Sequence, residues 1–277
     1  MGQGSVQFQM GWIPMVAQMT SEFDAYASDY REHIERLVGF TGRSHRYFVE
    51  TKVNHLLETL TSLGVVPKQM RMLDLGCGTG ETDALLVPHV GELHGLDISA
   101  ASIEVARQRP ENASVRYATY PGGQLPYEND TFDAVFAITV LHHVPRGDWT
   151  QFCQEMTRVI KPGGFVILYE HNPFNPLTRW IVSRCEFDRD AVLLSARTAQ
   201  GLYQTAGLCV EHVAHLLLFP WQGTWLRRLE RALQSLSLGA QYTVIGRKPV
   251  FGNESRTASV QAQAEMSELL NVESCGT

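Results

Sequence analysis

Two periods of apolar spacing alternate along the chain. Behind Ser21, a plausible N-cap, Phe23, Tyr26, Ala27, Tyr30, Ile34 and Leu37 recur at helical spacing. Gly39 and Gly42 interrupt, and Tyr47, Phe48, Val53, Leu56, Leu57 and Leu60 define a second amphipathic helix ending near Gly64. Short apolar runs then predict strands at 71–76, 92–98, 115–120, 133–141 and 164–170, with helical patterns between them at 81–90, 99–109 and 148–160. Pro88 shortens the first of these helices. The run 133–141 has few polar interruptions, as a central strand buried on both faces requires. A further helix at 195–206, stopped by Gly207, and strands at 208–219 and 241–248 complete the series. This rhythm predicts an α/β fold, a doubly wound parallel sheet with ligands at the carboxyl ends of its strands.

Composition narrows the class. The chain has 277 residues, 44% hydrophobic and 19% charged, enough for one large domain with additions. The expected organisation is a poorly specified lead at 1–20, an N-terminal helical cap at 21–64, the main domain at 65–248 and a disordered tail, rich in Ser, Glu and Gln, at 249–277. A net charge of −6 gives no general electrostatic case for nucleic acid. Five scattered cysteines, one inside a glycine loop, favour a reduced, cytoplasmic chain without a metal site. No apolar run is long enough for a membrane span, and the first residues lack the basic region of a signal peptide.

The candidate chemistry centres on Leu73-Asp74-Leu75-Gly76-Cys77-Gly78-Thr79-Gly80, where a strand runs into three alternate glycines and then a helix. The pattern G-x-G-x-G departs from the dinucleotide fingerprint, and Glu81 puts a carboxylate where a pyrophosphate would sit. Asp97, ending the second strand, suits the two hydroxyls of an adenosine ribose, and Asp74 suits an ammonium group. Adenosine, a cationic amino acid and no phosphate together describe S-adenosyl-L-methionine.

These residues resemble the first two motifs of the class I S-adenosylmethionine-dependent methyltransferases, of the type 11, ubiquinone/menaquinone methyltransferase-like kind. Leu125-Pro126-Tyr127-Glu128-Asn129-Asp130-Thr131-Phe132-Asp133, Leu141-His142-His143-Val144 and Ile160-Lys161-Pro162-Gly163-Gly164 resemble later elements of the family in the right order, over about residues 70–219. The resemblance implies a seven-stranded Rossmann-like sheet whose last strand is antiparallel, with the helical cap over the cofactor. It implies cofactor contacts from Asp74, Gly76, Cys77, Gly78, Gly80 and Asp97, from Ile98 beside the adenine, and from Ala137 and Ile138 at the end of strand four. Tyr30 is the candidate for a tyrosine closing over the cofactor; packing between helices is its other reading. One departure stands out: many relatives carry an Asp near the position of Pro121, and here Tyr120, Gly122 and Gly123 surround it without a carboxylate.

Methyl transfer needs alignment and exclusion of water, with a general base only where the acceptor must lose a proton. His142 and His143, expected to end strand four on opposite faces, and Glu170 and His171, ending strand five, are the candidate catalytic groups. The double-proline loop His171-Asn172-Pro173-Phe174-Asn175-Pro176 is expected to shape the acceptor pocket. Residues 221–238 set Trp225, Leu226, Leu229, Leu233 and Leu236 against Arg227, Arg228 and Arg231, which fits packing on the sheet, peripheral lipid contact or a dimer interface. The expected activity is biosynthetic methyl transfer to a small-molecule acceptor, with oxygen favoured on a natural-product, glycan or lipid-like intermediate. Carbon or nitrogen methylation, and a non-catalytic cofactor-binding scaffold, are the alternatives; the oligomeric state is open.

Overall fold

The computed structural model describes Asp24, residues 30–218, Leu233 and residues 236–250. The expected lead, almost all of the tail and most of the 221–238 helix lie outside the described residues, as does the side chain of Tyr30. Seven strands form one sheet: β1 (Arg71–Leu75), β2 (Glu92–Asp97), β3 (Arg116–Thr119), β4 (Phe132–Ile138), β5 (Ile160–His171), β6 (Cys209–Leu216) and β7 (Gln241–Arg247). Their order is β3-β2-β1-β4-β5-β7-β6, and β7 runs antiparallel to both of its neighbours. The expected Rossmann-like sheet with an antiparallel last strand is therefore present, with β7 inserted between β5 and β6.

Two apolar layers follow from the period of two within the strands. Leu73, Leu75, Val135, Ala137, Val166 and Leu168 face one side, against Trp149, Cys153 and Met156 of α5 (Trp149–Val159) and Ala199 and Tyr203 of α7 (Ala196–Thr205). Met72, Ala134, Phe136, Phe165, Ile167 and Tyr169 face the other, against Val49, Val53, Leu56 and Leu60 of α2 (His45–Ser62) and Leu86 of α3 (Glu81–Leu86). α2 thus belongs to the core of the sheet, and it is α1 (Tyr30–Val38) and the first turns of α2 that overhang the strand ends. Beyond β2 the chain enters α4 (Ala100–Gln108), capped by Ser99, whose Oγ donates to Asp24 Oδ1 at 2.6 Å and so ties the N-terminal segment to this helix.

Between β1 and β4 the direction of winding reverses, which opens a crevice above their carboxyl ends. After β5, the loop 172–175 leads into α6 (Pro176–Val182), with Pro176 at its first turn and Asn175 Oδ1 accepting from Thr178 N at 3.0 Å. No helix among the described residues is long and apolar enough to cross a membrane.

Candidate active site

The glycine loop is held in a left-handed conformation at all three positions, with φ of 80°, 51° and 71° at Gly76, Gly78 and Gly80. Each serves a different need. A Cβ on Gly76 would meet Val140 Cγ2 at 2.4 Å, and one on Gly80 would meet Asn112 Nδ2 at 2.5 Å, so these two permit close packing. At Gly78 a Cβ would meet nothing within 4 Å, because this residue borders open space. Gly76, Cys77 and Gly78 line the cavity, whereas Gly80 turns into α3, its carbonyl accepting from Asn112 Nδ2 at 3.0 Å. Glu81, at the start of α3, pairs with Arg109 at 3.0 Å and His45 at 2.7 Å.

Two carboxylates flank this loop. Asp97 Oδ2 accepts from Gly78 N and Oδ1 from Ser99 N, both at 2.8 Å. Burial raises its pKa and these backbone donors oppose the rise. Asp74 is 2% exposed, and its carboxyl shares a hydrogen bond with the carboxyl of Asp83. Burial and the neighbouring Asp83 carboxyl raise Asp74 well above the ordinary range; Asp83 itself, holding Tyr117 Oη at 2.7 Å, is pushed up to about 7. A buried carboxyl pair at a cavity wall, sharing one proton, can exchange that proton for a cationic donor.

Lys52 of α2, which sequence reasoning missed, reaches the same wall. It is 7% exposed and is the only lysine or arginine among the described lining residues. Burial lowers its pKa to about 8, against the attraction of Glu170 and Asp74. A signal existed: Lys52 falls on the stripe of Val49, Val53 and Leu56, where a cation is out of place.

The histidine wall differs from its sequence reading. β4 stops at Ile138 because Thr139 adopts φ 55°, and a short 3₁₀ turn, Leu141–His143, follows. His142 and His143 are therefore not on opposite faces of a strand; their ring centroids lie 4.1 Å apart. Glu170, fully buried at the end of β5, accepts from Val140 N at 3.1 Å and Leu141 N at 2.7 Å, and its other oxygen lies 2.5 Å from His142 Nδ1. It does not line the cavity. On the other side of His142, Asp188 Oδ1 lies 3.3 Å from Nε2 and 3.4 Å from His143 Nε2. Asp188 gave no sequence signal, since only the fold brings it to the histidines.

Charge settles on one imidazole. Burial works against a charged His142, yet Glu170 and Asp188 outweigh it and raise His142 to about 10. Burial and the His142 charge lower His143 to about 3 and His171 to about 4, so both are neutral near pH 7. His171, half-buried at the end of β5, faces the cavity 5.2 Å from the His142 ring.

The cavity joining these walls holds about 400 Å³. Asp74, Asp97, Ile98, Tyr120, Gly122 and Gly123 line the part next to the glycine loop, so a tyrosine hydroxyl and a glycine pair stand where no carboxylate is available. Ile138 lines it too, while Ala137 is wholly buried in β4 and does not. The far side is largely apolar: Ile34, Leu37 and Phe48 from α1 and α2 oppose Leu177, Ile181 and Phe187 from the segment after the double-proline loop.

Comparison with known proteins bears on the family and the fold. Residues 73–168 match the family described as "Methyltransferase domain". The chain is 39% identical to a demethylmenaquinone methyltransferase of Bacillus mycoides, over 41% of this chain and 49% of that protein. It is 28% identical to a phthiotriol/phenolphthiotriol dimycocerosates methyltransferase of Mycobacterium ulcerans, over 40% and 41%. The aligned part thus spans about half or less of these curated relatives. Among solved structures, a geranyl diphosphate methyltransferase in complex with GPP and sinefungin superposes with a TM-score of 0.59 at 18% identity, over 85% of this chain and 99% of that one, a likeness of fold. Residues 73–168 carry a methyltransferase domain, set in a sheet of the class I, S-adenosylmethionine-dependent methyltransferase type.

Proposed function

We propose that the protein transfers a methyl group from S-adenosylmethionine to the hydroxyl oxygen of a small, largely apolar acceptor. The observation that carries this reading is the single cavity in which a glycine loop with two acidic side chains faces neutral histidines across an apolar wall. The relatives named for demethylmenaquinone and for phthiotriol/phenolphthiotriol dimycocerosates support an apolar, lipid-like acceptor, and the second name denotes a hydroxyl-bearing one.

The residues fit the cofactor. The buried Asp74 carboxyl at the cavity wall suits its ammonium, Lys52 near it suits its carboxylate, Asp97 its ribose hydroxyls, and the open space at Gly78 admits it against the backbone. When bound, S-adenosylmethionine supplies a sulfonium methyl carbon open to displacement. Ile98, Tyr120 and Ile138 flank the adenosine end, and α1 and α2 exclude water from above. His171 takes the acceptor's proton at Nε2. Gln241 supports this tautomer: its amide lies 3.4 Å from His171 Nδ1, and its Oε1 is buried without a partner among the described residues. Turning the amide end for end gives Oε1 the Nδ1 proton and leaves Nε2 as a lone pair. A base held near pH 4 suffices, because a hydroxyl proton becomes strongly acidic as its oxygen gains a carbon.

The test is incubation with methyl-labelled S-adenosylmethionine and a panel of apolar phenols, quinols and alcohols. An O-methyl resonance in the product supports the reading, and a C-methyl resonance moves the transfer to carbon. Cofactor binding without transfer to any acceptor supports the scaffold instead.

Two further outcomes bear on the cofactor half. In the free protein the Asp74–Asp83 pair holds a proton that ordinary carboxyls have lost by pH 6. An ammonium beside Asp74 favours its charged form and lowers its pKa, so cofactor binding is expected to release up to one proton below about pH 7, and less as pH rises above it. Calorimetry in buffers of different ionisation enthalpy reads this release, and buffer-independent heats at pH 6 would detach Asp74 from the ammonium. Lys52→Met is expected to weaken cofactor binding about tenfold or more, the worth of a charged hydrogen bond. An unchanged Kd would assign Lys52 to the core alone.

A further inference from the structure

We infer that His142, His143 and Asp188 form a binding site for a divalent transition-metal ion at the acceptor end of the cavity. Among the described residues they are the one group of three metal-ligating side chains close enough to share an ion, with one donor atom from each within 4.8 Å of the others. Two of the three spacings already have the required length. Asp188 Oδ1 stands 3.3 Å from His142 Nε2 and 3.4 Å from His143 Nε2. Ligand atoms about 2.0–2.2 Å from a tetrahedral Zn²⁺ lie about 3.3–3.5 Å from one another.

The support behind the first ligand is of the kind such sites need. Glu170 grips His142 Nδ1 at 2.5 Å and is itself fixed by the amides of Val140 and Leu141. That arrangement directs Nε2 toward Asp188 and raises its basicity as a donor, as a carboxylate behind a ligating histidine does. Two imidazoles and one carboxylate leave at least one coordination position vacant, and all three residues line the cavity. The side chains of His143 and Asp188 are 17% and 12% exposed, so an ion can reach them from that side. Two carboxylates, Glu170 and Asp188, face the histidines; a dication would displace the proton His142 otherwise carries on Nε2 toward Asp188, and with neutral imidazoles it balances both. His171 lines the same cavity with its ring 5.2 Å from that of His142, so an acceptor oxygen held by the ion would lie within the cavity this base shares; this role, unlike the binding itself, rests on the reading of the site as a methyltransferase. A carbonyl, hydroxyl or enol oxygen is the acceptor group it would select.

The test uses the untagged full chain, stripped with a chelator and titrated with Co²⁺ and with Zn²⁺, without cofactor or acceptor. One equivalent of Co²⁺ with visible absorption of a nitrogen- and oxygen-ligated site is expected, displaced by Zn²⁺. Asp188→Asn and His143→Ala are each expected to weaken Zn²⁺ binding at least tenfold by calorimetry, and Glu170→Gln ten- to a hundredfold (about the cost of losing a supporting partner). No absorption band in the folded, unmodified chain overturns the inference, and this arm does not depend on any variant folding. Equal affinity in Asp188→Asn and the parent, with equal melting temperatures, also overturns it by placing the ion elsewhere. S-adenosylmethionine binding to the stripped protein, titrated in parallel, separates the two readings: cofactor binding without metal binding removes the ion and leaves the methyltransferase.

Discussion

Replacing Asp97 with alanine is expected to weaken S-adenosylmethionine binding about ten- to a hundredfold, ~1.5–3 kcal/mol for hydrogen bonds to a charged group. Two effects add. The ribose hydroxyls lose their acceptor, and Gly78 N and Ser99 N lose theirs at the same moment. The second effect touches the glycine loop itself, so Asp97→Asn, which keeps one acceptor oxygen, should fall between alanine and the parent. Isothermal titration with S-adenosylmethionine and S-adenosylhomocysteine measures both variants, and melting curves establish that the sheet is intact. An unchanged Kd for Asp97→Ala would take Asp97 out of the cofactor site.

His171→Ala is expected to lower kcat about 10²–10⁴-fold, the usual contribution of a positioned proton acceptor, with the Kd for S-adenosylmethionine nearly unchanged. The pH profile separates a base from a packing residue. His171 is lowered to about 4 by burial and the charge on His142. It is neutral, and able to accept, above that value, and loses the capacity as pH falls through it. kcat/KM for the parent should therefore stay level from about pH 8 down to about pH 5 with respect to this group, then decline. In His171→Ala the acid limb should vanish along with the rate. A variant that retains full turnover would leave transfer to positioning alone, and a variant that loses cofactor affinity equally would make His171 part of the fold.

Much of this molecule was legible in its sequence, and the reasons are local. The glycine loop, Asp74 and Asp97 lie within 24 residues of one another on a strand–loop–helix–strand unit, so spacing alone brings them together. The strands declared themselves through period and length, and the observed β1, β2 and β7 follow their expected limits closely. The acceptor half was less legible because its geometry is built from distant segments. His142 and Asp188 are 46 residues apart, and nothing in either neighbourhood announces the other. The expectation that His142 and His143 diverge failed at one dihedral angle: Thr139 at φ 55° ends β4 three residues early, and the two rings come to lie side by side. Lys52 was legible in principle, as a charge on a buried helical stripe.

Glu170 receives two amides of the turn after β4 and one imidazole, which in turn meets the segment after α6. The chain around that segment is also secured by Asn172 Nδ2 donating to Gly239 O, Thr178 Oγ1 donating to Ala240 O and Val192 N donating to His142 O, each at 2.8 Å, and by Tyr242 Oη donating to Leu194 O at 3.0 Å. None of these ties involves the glycine loop. The molecule is therefore divided like a tool with a fixed handle and a changeable head. The exposed positions of residues 173–191, Phe174, Leu177 and Trp180 among them, can be redrawn to suit a different acceptor while the cofactor's half of the cavity keeps its shape, and Glu170 is the joint through which any misfit between the halves would be felt.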